Sequence, residues 1–115
     1  MVITLYGIPN CDTVKKARAW LQENSVTTAF VDFKKGGVPP QRLDAWLAEV
    51  GWEALVNRKG NTWRGLDEAV RESVVDAASA RRLMLDHPSV VKRPVVEWGD
   101  GRTTVGFDAG AWARR

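Results

Sequence analysis

The chain has 115 residues, of which 44% are hydrophobic and 27% charged, the composition of one ordinary soluble globular domain with no low-complexity segment or repeat. A net charge of +3 favours anions, but the basic residues are interleaved with acids, which argues against a phosphate-tracking nucleic-acid groove. No apolar stretch approaches membrane-spanning length, the opening residues carry no secretory leader, and one cysteine excludes an internal disulfide, so a cytoplasmic monomer without membrane contact is expected.

Met1 to Tyr6 is a short apolar run, rich in β-branched and aromatic residues, that stops at Gly7 and Pro9, which predicts a strand. Val14, Ala17 and Leu21 then fall on one helical face with Trp20 beside them, and Asn10 or Asp12 can cap that helix. Either cap puts Cys11 in the first turn, near backbone N–H groups that have no helical partner and favour an anion. A lone cysteine is commonly a small buried hydrophobe, but a helix start is a setting for a reactive thiol.

Asn24-Ser25 ends the periodic pattern, and Thr27 to Phe33 reads as a second strand. Strand, helix and strand make a βαβ unit with parallel strands and a right-handed crossover. Cys11 is thereby expected at the carboxyl end of the first strand, where open α/β sheets keep their ligands.

Lys34-Lys35-Gly36-Gly37 reads as a turn, and Pro39-Pro40 opens a helix in which Leu43, Trp46, Leu47 and Val50 form an inward stripe before Gly51 stops it. Leu55-Val56 is a short apolar patch within an irregular stretch. The polar Asn57 to Thr62 segment that follows is a second place to look for function. Thr62 or Asp67 can start short helices, and Asp76 can cap a longer one to about Asp86, with Ala77, Ala80, Leu83, Met84 and His87 facing inward. His87, the only histidine, precedes Pro88 at that helix end. A capping role is expected of it, not metal binding or base catalysis, because no second ligand stands at a useful spacing.

Val90 to Trp98 and Arg102 to Phe107, separated by Gly99-Asp100-Gly101, read as an antiparallel hairpin. Pro94 belongs at the start of its strand, where a cis bond is at home. Asp108 can cap a last helix through Trp112, with Arg114-Arg115 against its negative end. The order predicts an α/β protein with a four-stranded mixed sheet and helices.

Gly7-Ile8-Pro9-Asn10-Cys11-Asp12-Thr13-Val14-Lys15-Lys16-Ala17, the Leu55-Val56-Asn57-Arg58-Lys59-Gly60 loop, Trp63 with Leu66-Asp67, Ala77-Ala78-Ser79, and Lys92-Arg93-Pro94 with Gly106-Phe107 together resemble the arsenate reductase (ArsC) family. The likeness is greatest to its YffB branch, with Spx regulators as relatives, and its separated motifs agree in order over essentially the whole chain. It implies a single domain, 1–115, with a thioredoxin-like core at 1–35 and 90–115 and a helical insertion at 38–89. It further implies glutathione as thiol co-substrate, with no bound cofactor, and Cys11 as nucleophile. Arg93 matches the arginine before the family's cis-proline, which makes Pro94 the cis residue and turns Arg93 toward the thiol. Arg58 or Lys59 stands where the reductases carry an earlier active-site arginine.

These roles agree with the chemistry, since a thiolate attacking an oxyanion or a disulfide needs fixed positive charge, and a guanidinium offers paired donors to a tetrahedral oxyanion or a glutathione carboxylate. From the residues alone, Arg93 fits an ordinary strand-edge arginine equally well. Asn10 and Thr13 are candidates for polar contacts at the thiol or glutathione. Two departures narrow the expectation. Val105-Gly106-Phe107 replaces a further arginine of the arsenate reductases, which argues against arsenate as substrate. Val14 occupies the second position of the Cys-x-x-Cys pair of many Spx regulators, which removes an intramolecular redox switch. The leading expectation is a glutathione-dependent thiol reductase acting on a small thiol, disulfide or oxyanion; the alternative is an Spx-like module that docks on RNA polymerase.

Overall fold

The computed structural model describes residues 2–115, and the chain divides into two units: the segment up to Asp32 together with Arg93–Arg115, and Phe33–Lys92. The first unit contains β1 (Ile3–Gly7), α1 (Asp12–Glu23), β2 (Thr28–Asp32), β3 (Val95–Glu97), β4 (Thr103–Val105) and α8 (Ala109–Ala113). Its sheet has the order β2-β1-β3-β4; β1 and β2 are parallel, whereas β3 is antiparallel to both β1 and β4. This is the four-stranded mixed sheet of a thioredoxin-like fold.

Alternation along the strands assigns the two faces. Leu5 and Val96 are register partners and join Val14, Ala17 and Leu21 of α1, Trp112 of α8 and Trp98 in one buried cluster. Trp112 is its hub, with edge-on contacts to Trp20, Trp98 and Phe107 at centroid distances of 5.5, 4.9 and 4.8 Å. Aromatic rings prefer this edge-to-face arrangement, and such pairs add to the stabilisation from burial. On the other face Tyr6 and Val95 are buried partners, and the Tyr6 hydroxyl donates to Glu97 Oε1 at 2.7 Å.

The second unit is helical: α2 (Phe33–Gly36), α3 (Pro40–Val50), α4 (Trp52–Leu55), α5 (Asn61–Arg64), α6 (Glu68–Glu72) and α7 (Ala77–Asp86), followed by a 3-10 turn at Pro88–Val90. Phe33, Leu43, Trp46, Leu55, Ala80 and Met84 are among its buried residues. Asp76 and Ser79 cap α7 reciprocally, the Ser79 N–H donating to Asp76 Oδ1 at 2.9 Å and the Asp76 N–H to Ser79 Oγ at 3.1 Å. Gly51 ends α3 at φ 85°, a left-handed conformation that glycine adopts without a Cβ clash.

Several local expectations are corrected. The first strand runs Ile3–Gly7 instead of Met1–Tyr6, and Met1 lies outside the described residues. The second strand stops at Asp32, and Phe33–Gly36 coils into a helical turn closed by the Gly37 N–H on the Phe33 carbonyl. Gly60, not Thr62, precedes α5, whereas Asp67 does precede α6. Ala77 and His87 face solvent, because the inward arc of α7 narrows to Ala80, Leu83 and Met84; His87 is the C-cap, its N–H donating to Leu83. The Val90–Trp98 run is no single strand: Val91 bridges Val56, and pairing in the sheet begins only at Val95. Arg115 turns from the end of α8 to Asp100 and the Trp98 ring.

Candidate functional site

The turn carrying the cysteine is built from both sides. β1 ends at Gly7, Ile8 is buried, and the Cys11 N–H donates to the Ile8 carbonyl at 3.2 Å. Cys11 has extended backbone (φ −87°, ψ 126°), and its carbonyl accepts the Lys15 N–H at 2.9 Å, so Cys11 itself is the N-cap of α1. Asn10 and Asp12 were the expected caps; Asn10 lies one residue too early and Asp12 is already helical. No side chain caps α1. Its first N–H groups therefore lack helical acceptors at the residue that carries the thiol. Cys11 is free and half-buried, packed against the Trp112 cluster, while Asn10 and Thr13 beside it are exposed.

The neighbouring strand brings Arg93 and Pro94 to the same end of the sheet. The Arg93–Pro94 peptide bond is cis and directly precedes β3. Tyr6 pairs with Val95 and Val95 with Val105, and the Gly106 N–H donates to the Pro94 carbonyl at 2.9 Å. Tyr6, Val95 and Val105 thus form the last paired row across three strands about 4.8 Å apart. Beyond that row lie the Cys11 turn, Arg93 and Phe107. Arg93 is half-buried, and Pro94 is buried. Phe107, which no site assignment from the sequence included, packs on Trp112 as part of this end; the glycine before it, at φ 84°, was the available signal for a sharp chain turn.

Arg58 and Lys59 belong to the helical unit. The Asn57 N–H donates to the Val90 carbonyl at 2.8 Å and the Lys92 N–H to Leu55 at 2.7 Å, a short ladder around the Val56–Val91 bridge. Asn57 Oδ1 accepts the Lys59 N–H, and the Arg58 guanidinium lies over the Trp52 ring at 5.1 Å. An open groove of about 330 Å³ is lined by both cations together with Lys92, Asn57 and Glu53. The structure thus brings Arg58 and Lys59 together and adds Lys92, which sequence reasoning missed because its proximity depends on a bridge between residues far apart in the chain. Cys11, Asn10, Thr13, Arg93 and Pro94 form the other group, within the sheet unit.

Among the described residues, no three of His, Cys, Asp and Glu stand together as metal ligands, and no helix is long and apolar enough to cross a membrane.

The family model described as the ArsC family matches residues 6–114. The chain belongs to the ArsC family. Among solved structures, the YffB (PA3664) protein is 49% identical with a TM-score of 0.90, covering 97% of this chain and 96% of that one. An arsenate reductase (ArsC) related protein from Brucella melitensis is 52% identical with a TM-score of 0.77, covering 99% and 93%. The global transcriptional regulator Spx of Bacillus subtilis is 26% identical over 112 residues, 93% of this chain and 81% of the regulator. The ArsC motifs and the sheet therefore agree in assigning both family and fold.

Proposed function

We propose that this ArsC-family protein is a glutathione-dependent thiol reductase with one nucleophilic cysteine. The observation that carries the reading is the position of Cys11 as N-cap of α1, at the sheet end where Arg93 and cis-Pro94 begin the adjacent strand. Amides without helical acceptors and a nearby guanidinium both stabilise negative charge on sulfur or on a bound oxyanion. In the proposed cycle the Cys11 thiolate attacks a mixed disulfide of glutathione and releases the substrate thiolate, leaving glutathione joined to Cys11. A second glutathione thiolate attacks that bond, regenerating the Cys11 thiolate and leaving as oxidised glutathione, so each turn consumes one free glutathione thiol and exchanges the mixed disulfide for oxidised glutathione and the substrate thiol.

Arg93 binds the anionic part of the partner. Asn10 and Thr13 make the polar contacts, and Pro94 borders the same binding site. Glutathione supplies the reducing equivalents, so the cycle needs no resident cofactor, and a free thiol suits a reducing cytoplasm.

The test is turnover of a glutathione mixed disulfide, read as oxidised glutathione formed, with wild type and Cys11→Ser side by side. Turnover confined to the wild type, with a single glutathione recovered on Cys11 by mass spectrometry, supports the reading; equal turnover in the two proteins refutes it. The similarity to a global transcriptional regulator over most of the chain supports a second reading, a module that docks on RNA polymerase. Stoichiometric binding to purified polymerase, unaffected by Cys11→Ser, distinguishes it from the reductase.

A further inference from the structure

At the end of the sheet away from Cys11, the first unit carries an open groove of about 590 Å³ lined by Ile3, Trp98, Asp100, Arg102, Arg114 and Arg115. Ile3 opens β1, Trp98 follows β3, and Asp100 and Arg102 form the turn into β4. One wall of the groove is already set. The Arg115 guanidinium lies over the Trp98 ring at 4.4 Å and donates to Asp100 Oδ2 at 2.8 Å. The other oxygen, Asp100 Oδ1, accepts the Arg102 backbone N–H at 2.9 Å, so both carboxylate oxygens are engaged. The Trp98 indole is fixed by its own bond, Nε1–H to Thr104 Oγ1 at 2.8 Å.

What is left over is positive charge. Arg102 and Arg114 are exposed, and among the described residues neither guanidinium has a hydrogen bond or an ion pair. Three guanidinium groups against one carboxylate leave a side-chain charge of +2 beside the half-buried Ile3 and the small part of Trp98, 7% exposed, that Arg115 and the core leave open. Guanidinium groups match the paired oxygens of a dianion. Two free cations are too few for a nucleic-acid backbone, whose binding rests on many phosphate contacts.

We propose that this groove binds an organic phosphomonoester, with Arg102 and Arg114 holding the dianion and Ile3, together with the small exposed part of Trp98, receiving the apolar body. The Arg115–Asp100 pair forms the preset wall and keeps Arg115 off the ligand. The site stands apart from the thiol chemistry and does not depend on it.

Phenyl phosphate is titrated into the full ¹⁵N-labelled chain at constant ionic strength, reading the Trp98 Nε1–H and the Arg102 and Arg114 Nε–H resonances. Saturable shifts at these groups are expected, unchanged in Cys11→Ser, with inorganic phosphate binding more weakly than phenyl phosphate. Arg102→Gln and Arg114→Gln each weaken binding by about tenfold, the loss of one charge-assisted contact. Both positions are exposed, and far-UV circular dichroism checks that the variants remain folded. The proposal is overturned if sodium chloride of matched ionic strength reproduces the shifts, if the double variant binds like wild type, or if succinate binds more tightly than phenyl phosphate. Saturable shifts centred on Cys11 overturn it as well.

Discussion

Gly7 and Val14 approach so closely that a Cβ on Gly7 would stand 2.9 Å from Val14 Cγ2. This contact closes α1 down onto the end of β1 and so sets the span of the turn that holds Cys11. Val14 is fully buried, which leaves its side chain little room to move aside.

Gly7→Ala is therefore expected to destabilise the fold by about 1–3 kcal/mol, the usual cost of overpacking. Urea denaturation measures it. Because the shift falls on the first turn of α1, the alkylation rate of Cys11 is expected to change in the same variant, whereas Gly36→Ala, where nothing lies within 4 Å, leaves that rate unaltered.

Arg93 supplies the second prediction. If it binds the anionic partner at the thiol, Arg93→Ala lowers kcat/KM for a glutathione mixed disulfide by about 10–100-fold, the range expected for a lost charge-assisted hydrogen bond. Arg93→Lys recovers part of the loss, since it restores charge without the planar fork. Steady-state kinetics on the three proteins checks the order; an Arg93→Ala enzyme with wild-type kcat/KM would remove Arg93 from the site.

Trp112 joins α1, α8 and the sheet through three edge-on ring contacts and is only 4% exposed. Trp112→Ala is expected to cost about 3–5 kcal/mol, measured by chemical denaturation. Trp112→Phe keeps part of the ring packing and costs less.

Asp76 gives stability a pH dependence. The Ser79 N–H, and after it the Ser79 hydroxyl, donate to the Asp76 carboxylate and hold its pKa below the ordinary 3.8. A depressed folded-state pKa means that the unfolded chain takes up the proton first. The contribution is then complete above the ordinary value and is lost as pH falls through the folded one. Urea midpoints recorded between about pH 2 and 6 are expected to fall less steeply with acid in Asp76→Asn than in wild type.

Much of the fold was legible because its signals are local. The βαβ start, the Asp76 and Asp108 caps, the Gly51 stop and the place of Pro94 at the head of a strand each depend on neighbours within one or two turns of chain. Misreadings arose where a local pattern competed with distant pairing. Val90-Val91 has strand composition, yet Val91 pairs with Val56 and not with the sheet. Ala77 and His87 fit a helical stripe, yet the face of α7 that finds partners is narrower than the stripe.

By itself, the sequence determined the family motifs, the single thiol at the mouth of the first helix and the order of secondary elements, since all three are written in spacing along the chain. The tertiary structure alone decided that Cys11, Arg93 and Phe107 leave the same sheet end, that Lys92 joins Arg58 and Lys59, and that Arg115 is matched by Asp100 while Arg102 and Arg114 are not. Strand register and long-range contact create these neighbourhoods, and neither is fixed by any local run of residues.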